Sequence, residues 1–382
     1  MALNEREEFV RVGPGTLAGR VLRHFWQPVH RAEDLAPAQA LPRRMLGEDF
    51  TLYRGEGGKA HAVAFRCAHR GTQLSTGWVE GDCIRCFYHG WKYDASGQCV
   101  EQPAEDAGFA AKIRIKSYPV AEHLGLIFVY FGDGTPPPLP RFPEMEDEHQ
   151  GILDTYTYTW PCSYFNALEN DAFHGIWVHR DAYVRSGRTG IPIVEVEETE
   201  YGFVTRARRP GATHWPASQT HFLMPNAIRA TRTAPELGKD AWREALTWRV
   251  AVDDEHFATY GVNLTHVTGE ARDHYLANTH EKARREESQT PPETLAERVL
   301  RGEIRIEDIA SLEGDYGRLF NVQDYVAQVG QGTFACLNDE HLGREDAEVI
   351  MLRKLYRREM RALAEGRPLT QWTHSQPLSV RV

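Results

Sequence analysis

Two short runs constrain this chain more than anything else in it. Cys67-Ala-His69 is followed, after sixteen intervening residues, by Cys86-Phe-Tyr-His89. Each run offers one thiol and one imidazole, and a glycine stands just beyond each, at Gly71 and Gly90. The six cysteines are Cys67, Cys83, Cys86, Cys99, Cys162 and Cys336, and the first four fall within 33 residues. In a reducing compartment such a cluster binds metal more readily than it forms disulfides. Three arrangements compete for it. Cys83-Ile-Arg-Cys86 has the spacing of a redox pair, but that type opens a helix in a βαβ unit, and no helix start is evident at Ile84 to Tyr88. Cys67, Cys83, Cys86 and Cys99 could form an all-cysteine zinc or iron–sulfur site, but they lack the second C-x2-C of a zinc ribbon. The third pattern, C-x-H-x16-C-x2-H, suits a [2Fe–2S] cluster with both cysteines on one iron and both histidines on the other. Neutral imidazoles carry less charge than thiolates, so such a cluster has a higher reduction potential than an all-cysteine one. In this reading Cys67, His69, Cys86 and His89 are the ligands, and Cys83 and Cys99 are small buried residues.

The segment CAHRGTQLSTGWVEGDCIRCFYHGWKYDASGQC (residues 67–99) resembles the cluster loops of the Rieske non-heme iron oxygenases, in their terminal oxygenase (α) subunits. VGPGTLAGRVLRHFWQPV (residues 12–29) resembles the phthalate-dioxygenase-like branch of that family. The likeness runs from about residue 12 to the C-terminus and is strongest at the motifs. Gly13-Pro-Gly15 is no dinucleotide fingerprint, because no apolar strand precedes it.

A second metal motif lies at Asp171-Ala-Phe-His174-Gly-Ile-Trp-Val-His179, within a stretch, Leu168 to His179, that reads as helix. On an ideal helix of about 100° per residue, Asp171 falls between the two histidines, which are themselves about 140° apart. That is too wide for one ion on a straight helix; Gly175 offers a place for distortion. Taken alone the motif is weak. Beside a Rieske motif it acquires meaning, because non-heme Fe(II) oxygenases hold iron with two histidines and one carboxylate and keep the remaining positions open. The resemblance makes His174 and His179 the imidazole ligands and puts the carboxylate far downstream, where Asp324 fits better than Asp315 or Glu313. It gives Asp171 another role, bridging an iron-ligating histidine to a Rieske histidine of a neighbouring subunit. A ligating imidazole needs an acceptor for its other N–H, and a carboxylate serves well.

The fold class expected is α+β: a β-rich Rieske domain (27–135), preceded by a helical segment (1–26) that packs on the catalytic domain, and followed by a helix-grip-like catalytic domain (136–382). Short apolar runs separated by glycine-rich turns fill Gln27 to Gly132, and the proline-rich Asp133 to Pro140 marks the boundary. Beyond it, Thr155 to Pro161, Ile191 to Ala207, His221 to Thr233 and Leu246 to His266 read as strands of a mostly antiparallel sheet. Much of Thr294 to Leu319 and Ala347 to Ala364 read as helix, and His274 to Pro292 as a charged, solvated excursion. The formal charge of −10 advertises no nucleic-acid partner. The longest apolar run, Leu124 to Phe131, is far short of the roughly 20 residues that span a bilayer. The charged N-terminus lacks a signal core, so a cytoplasmic protein is expected.

The resemblance implies a terminal oxygenase that uses O2 and electrons from a separate flavin/iron–sulfur reductase, with or without a ferredoxin between them. It also implies head-to-tail trimers, or hexamers built from them. The expected substrate is a small aromatic carboxylate, hydroxylated or dihydroxylated on the ring. Alternatives are O-demethylation of a methoxy-aromatic acid and diaryl ether cleavage. Arg206, Arg208, Arg209 and Arg229 are candidates to clamp a substrate carboxylate through paired hydrogen bonds. A rival from another class is a Rieske electron carrier without a mononuclear iron, which would leave the C-terminal two thirds unexplained.

Overall fold

The structure is a computed structural model that describes residues 5–106, 108–146, 151–171, 178–179, 193–208, 219–233, 242–309, 316–332 and 340–373. Two helices, α1 (Glu5–Val10) and α2 (Leu17–Arg23), flank the Gly13-Pro-Gly15 break. Thr16 caps α2, its hydroxyl accepting from the Gly19 N–H. The N-terminal domain then builds three small antiparallel sheets. The first holds β1 (Trp26–Arg31), β11 (Leu126–Tyr130) and β10 (Val120–His123) in that order. The second runs β2 (Ala40–Met45), β3 (Glu48–Arg54), β4 (Ala60–Ala64), β9 (Ser117–Tyr118). The third, β5 (Trp78–Glu80), β6 (Cys83–Arg85), β7 (Lys92–Tyr93), β8 (Cys99–Glu101), carries the cysteine–histidine loops at its edge.

The C-terminal part is organised by one seven-stranded antiparallel sheet. Its members are β12 (Ile152–Trp160), β13 (Ile193–Thr199), β14 (Gly202–Arg208), β15 (Thr220–Leu223), β16 (Ala227–Thr233), β17 (Trp242–Ala251) and β18 (Phe257–His266). Their order is β12-β18-β17-β16-β15-β14-β13. Three of the strand-like runs, Ile191 to Ala207, His221 to Thr233 and Leu246 to His266, are hairpins rather than single strands, because turn formers interrupt them. Between β17 and β18, the Asp253 carboxylate accepts from the backbone N–H groups of Glu255 and His256, which closes the turn.

Pairing partners share a face of the sheet. Leu246, Trp248 and Tyr260 lie on the face that packs against the N-terminal domain. The Tyr260 hydroxyl donates to the Val29 carbonyl at 2.7 Å, and the Trp248 ring meets Phe128 edge-on at 5.4 Å. The opposite face carries helices. α7 (Ala347–Ala364) lies against β13, with Lys354 and Arg358 both on Glu198. Under it, Phe9 of α1 stacks on Phe165 of α3 (Tyr164–Asn170) at 4.9 Å and meets Tyr356 of α7 edge-on. Burying a Phe side chain contributes about 1.5–3 kcal/mol, so this cluster joins the N-terminal segment firmly to the catalytic sheet.

Two local expectations are corrected. The charged stretch expected as a solvated excursion is a helix, α4 (Gly269–Ser288), followed by α5 (Pro292–Leu300). Glu, Lys, Arg and Ala are strong helix formers, so a polar run can be helical without an apolar face; the Tyr275 hydroxyl docks α4 on Asp154 of β12 at 2.7 Å. The helix expected over Leu168 to His179 does not reach His179. α3 ends at Asn170 with Asp171 as its C-cap, and His179 has φ +61°, which no helix accommodates.

Candidate metal centres

The two cysteine–histidine loops are built alike. In the first, the Gly71 N–H donates to the Cys67 carbonyl at 2.9 Å and the Cys67 N–H donates to the Thr72 carbonyl at 2.8 Å. In the second, Gly90 N–H to Cys86 carbonyl is 3.0 Å and Cys86 N–H to Trp91 carbonyl is 2.8 Å. Gly71 and Gly90 both sit at positive φ, +77° and +75°, where side chains are strained. That is why a glycine follows each motif. Cys67 and Cys86 are buried, while His69 and His89 stand exposed with ring centroids 4.5 Å apart. His69 stacks on Trp91.

Tyr93 supports the first loop. Its buried hydroxyl lies 3.2 Å from Cys67 Sγ and accepts from the Ala68 N–H at 3.1 Å. Arg85 supports the second, donating to the Gly90 carbonyl at 2.8 Å while held by Glu80 and Glu101. The donors fit a [2Fe–2S] cluster: two buried sulfurs on one side, two imidazoles on the solvent side, and loops held at matching angles. Cys83 and Cys99 take no part in these loops; Cys99 is buried and Cys83 half-buried.

The second centre forms where α3, the sheet and α6 (Tyr316–Gly330) meet. Asn166 of α3 donates to the Gln328 carbonyl of α6. His179 is buried; its Nε2 lies 3.0 Å from Asp324 Oδ1 and its Nδ1 2.6 Å from Gln323 Oε1. Both of these oxygens only accept, and a neutral imidazole carries one N–H. In the neutral tautomer that donates Nδ1–H to Gln323, the Nε2 lone pair faces the Asp324 carboxylate, an arrangement that a cation satisfies. The 3.0 Å separation matches two donors on adjacent positions of one ion, each about 2.1 Å from it. Among the described residues no three donors converge on a single ion; the third candidate, His174, lies outside them.

Asp171 sits on the same side of the sheet, and Arg249 of β17 grips it. Arg249 Nε donates to Oδ2 at 2.8 Å and Nη2 to Oδ1 at 2.6 Å. Nη1 donates to Tyr158 and Thr259. Burial is the largest single influence on Arg249 and lowers its pKa, but the Asp171 charge, the Tyr158 hydroxyl and the hydrogen bonds to Asp171 together outweigh it and hold the pKa above the ordinary arginine range. Near Asp171, Leu168, Phe203, Phe222, Ile228 and Leu352 line a small cavity between sheet and helices.

Two of the arginines expected to clamp a substrate, Arg206 and Arg229, do not face this cavity. The pairings Val204↔His221, His221↔Arg229 and Arg229↔Leu246 put Arg206 and Arg229 on the face opposite Arg249 and Asp171. Arg206 pairs with Glu197 at 2.7 Å, and Arg229 is fully buried between Glu144 and Glu244. Arg209 and Cys336 lie outside the described residues. Sequence reasoning missed Tyr93, Gln323 and Arg249. Tyr93 carried a faint signal, four residues past His89; the other two carried none.

Residues 25–119 match the family model described as the Rieske [2Fe-2S] domain. The 5,5'-dehydrodivanillate O-demethylase oxygenase subunit of Sphingobium sp. (strain NBRC 103272 / SYK-6) is 29% identical over 96% of this chain and 82% of its own length. The phenoxybenzoate dioxygenase subunit alpha of Ectopseudomonas oleovorans is 28% identical over 93% and 84%. This chain carries a Rieske [2Fe-2S] domain and is similar over nearly its whole length to the oxygenase subunits of such systems. Its fold is that of the terminal oxygenase of carbazole 1,9a-dioxygenase from Nocardioides aromaticivorans IC177, with a TM-score of 0.67, 21% identity, and coverage of 94% of this chain and 97% of that one. Like those terminal oxygenases it takes a [2Fe–2S] Rieske cluster and a mononuclear iron, and its relatives belong to multicomponent systems. Among the described residues no helix is long and apolar enough to cross a membrane.

Proposed function

We propose that Cys67 and Cys86 hold one iron of the Rieske cluster and His69 and His89 the other, and that His174, His179 and Asp324 hold the mononuclear Fe(II). The observation that carries the second assignment is His179, whose two ring nitrogens face two acceptors, Gln323 and Asp324. Bound there, the iron activates O2 with electrons relayed from a separate reductase, directly or through a ferredoxin. Gln323 fixes the His179 tautomer so that the Nε2 lone pair points to the metal. Asp171 joins His174 to His89 of the partner subunit.

Two features support a head-to-tail trimer. The seven-stranded sheet stands between the N-terminal domain and the helices that carry Asp171 and Asp324, so one chain's centres lie on opposite sides of it. Exposed Phe87 and Tyr88 also flank the exposed His89, an apolar edge suited to docking on a second copy.

The substrate is a small aromatic carboxylate, oxygenated on the ring; the phenoxybenzoate named for one relative belongs to that class. The O-demethylase named for another favours a second reading, in which a hydroxylated methoxy group yields a hemiacetal that releases formaldehyde. The test is a metal count followed by a product screen. About three irons per chain is expected, and two would leave only an electron carrier. With aromatic acids, O2 and a surrogate reductase, a cis-dihydrodiol or phenol supports ring oxygenation, and formaldehyde supports demethylation.

A further inference from the structure

Arg249 is the arginine that grips Asp171 beside the mononuclear site, and nothing in the metal chemistry above requires it. It is almost wholly buried near the C-terminal end of β17, on the face that carries the mononuclear site. Four of its five N–H groups are spent on Asp171 Oδ1 and Oδ2, Tyr158 Oη and Thr259 Oγ1. One N–H remains, too few for a paired grip on a substrate carboxylate. That count argues against a substrate clamp and for a task performed on Asp171.

We propose that Arg249 is a positioning residue: it grips Asp171 from the sheet side and leaves one lone pair on each carboxylate oxygen for the two imidazoles that Asp171 joins. This rests on the bridging role given to Asp171 above. A carboxylate offers about four lone-pair sites. Arg249 occupies two, one per oxygen, and the bridge needs the other two. Asp171 also needs fixing, because it is only the C-cap of a seven-residue helix, tied to α3 by its backbone N–H to the Ala167 carbonyl at 3.1 Å. Tyr158 and Thr259, on two neighbouring strands, hold the guanidinium plane in turn. Lysine keeps the charge but loses the two-point geometry.

The test uses the full-length protein loaded with both metals. It compares wild type with Arg249→Lys, Asp171→Asn, the double variant and Tyr158→Phe. Iron per chain and the Rieske visible spectrum come first. The cluster is then reduced with dithionite and mixed with O2 and the aromatic acid returned by the product screen, and its reoxidation is followed optically in a single turnover. Arg249→Lys should keep about three irons per chain and slow reoxidation about 10- to 100-fold, as loss of an outer support does. It should add little to the Asp171→Asn defect. Tyr158→Phe should slow the step less, and it carries the test if Arg249→Lys fails to fold. A second readout needs no metal: in the metal-free protein, the stability losses of the two single variants, measured by denaturant titration, should not sum to that of the double. Wild-type reoxidation in an iron-replete Arg249→Lys protein would overturn the proposal while leaving the oxygenase reading intact. Lowered stability with unchanged reoxidation would reduce the pair to a structural tie. Two irons per chain in the wild type would sink both.

Discussion

Replacing Tyr93 with phenylalanine should lower the reduction potential of the Rieske cluster. The phenol is fully buried, and its oxygen already accepts from the Ala68 N–H at 3.1 Å. Its own proton is therefore directed at Cys67 Sγ, 3.2 Å away. A donor to a ligand sulfur stabilises the reduced cluster more than the oxidised one, because reduction places more negative charge on the sulfur. A neutral hydrogen bond contributes about 1 kcal/mol net and one to a charged group about 1.5–3 kcal/mol. The difference, about 1 kcal/mol, corresponds to roughly 40 mV for one electron. Redox titration followed by the visible spectrum measures this directly. The same substitution strips the Ala68 N–H of its acceptor and should cost about 1–3 kcal/mol of stability, which a denaturant titration reports separately. A potential unchanged within the error of the titration, or a raised one, would refute the reasoning, because it would mean the phenol proton does not serve the sulfur.

Gln323→Leu should weaken mononuclear iron binding about 10- to 100-fold without altering the Rieske spectrum, because His179 loses the acceptor that fixes its tautomer; iron analysis after dialysis against a chelator checks it. Stability should fall in acid. His30 and His221 are buried with pKa values pushed down to about 4 from 6.5, by burial first and then by Arg43 and Arg229 respectively. The unfolded chain binds more protons than the native one between those values. The contribution is thus complete above pH 6.5 and is lost as pH falls toward 4, about 2 kcal/mol for each histidine by pH 5. Urea midpoints at pH 7 and pH 5 should differ accordingly, and equal midpoints would count against the burial argument. Phe9→Ala should cost about 3–5 kcal/mol, because the ring is fully buried against Phe165 and Tyr356; a small loss in a thermal melt would mean that α1 is not docked in solution.

What the sequence showed and hid divides by distance along the chain. The Rieske loops were legible because each is local: a cysteine, a histidine within three residues and a glycine at the one position where φ must be positive. The helix Ala347–Ala364 was legible to the residue because its apolar period is unbroken. The hairpins within the long runs were not, because strand residues outweighed single turn formers such as Pro225-Asn226 and Asp253-Asp254. α4 was hidden for the opposite reason: its sequence is charged and polar nearly throughout and leaves no apolar stripe to find. Gln323 and Arg249 were invisible because their partners lie 144 and 78 residues away, and only the folded sheet brings them together.

The arginines show what that limit means for substrate recognition. Along a strand, alternate residues face opposite sides, so an arginine's usefulness depends on register, which composition does not encode. Arg206 is one strand-parity step from the cavity that Phe203, Phe222 and Ile228 line, and that step turns it toward Glu197 instead. Arg206→Gln should therefore leave KM for an aromatic acid within about twofold of wild type, since an ion pair this exposed contributes about 0–1 kcal/mol and touches no substrate. Loss of a paired guanidinium–carboxylate contact would instead cost about 1.5–3 kcal/mol, or more than tenfold in KM. A tenfold rise with kcat unchanged would mean that β14 presents its other face to the site. The register between β14 and β15, and with it the assignment of the sheet's two sides, would then be wrong.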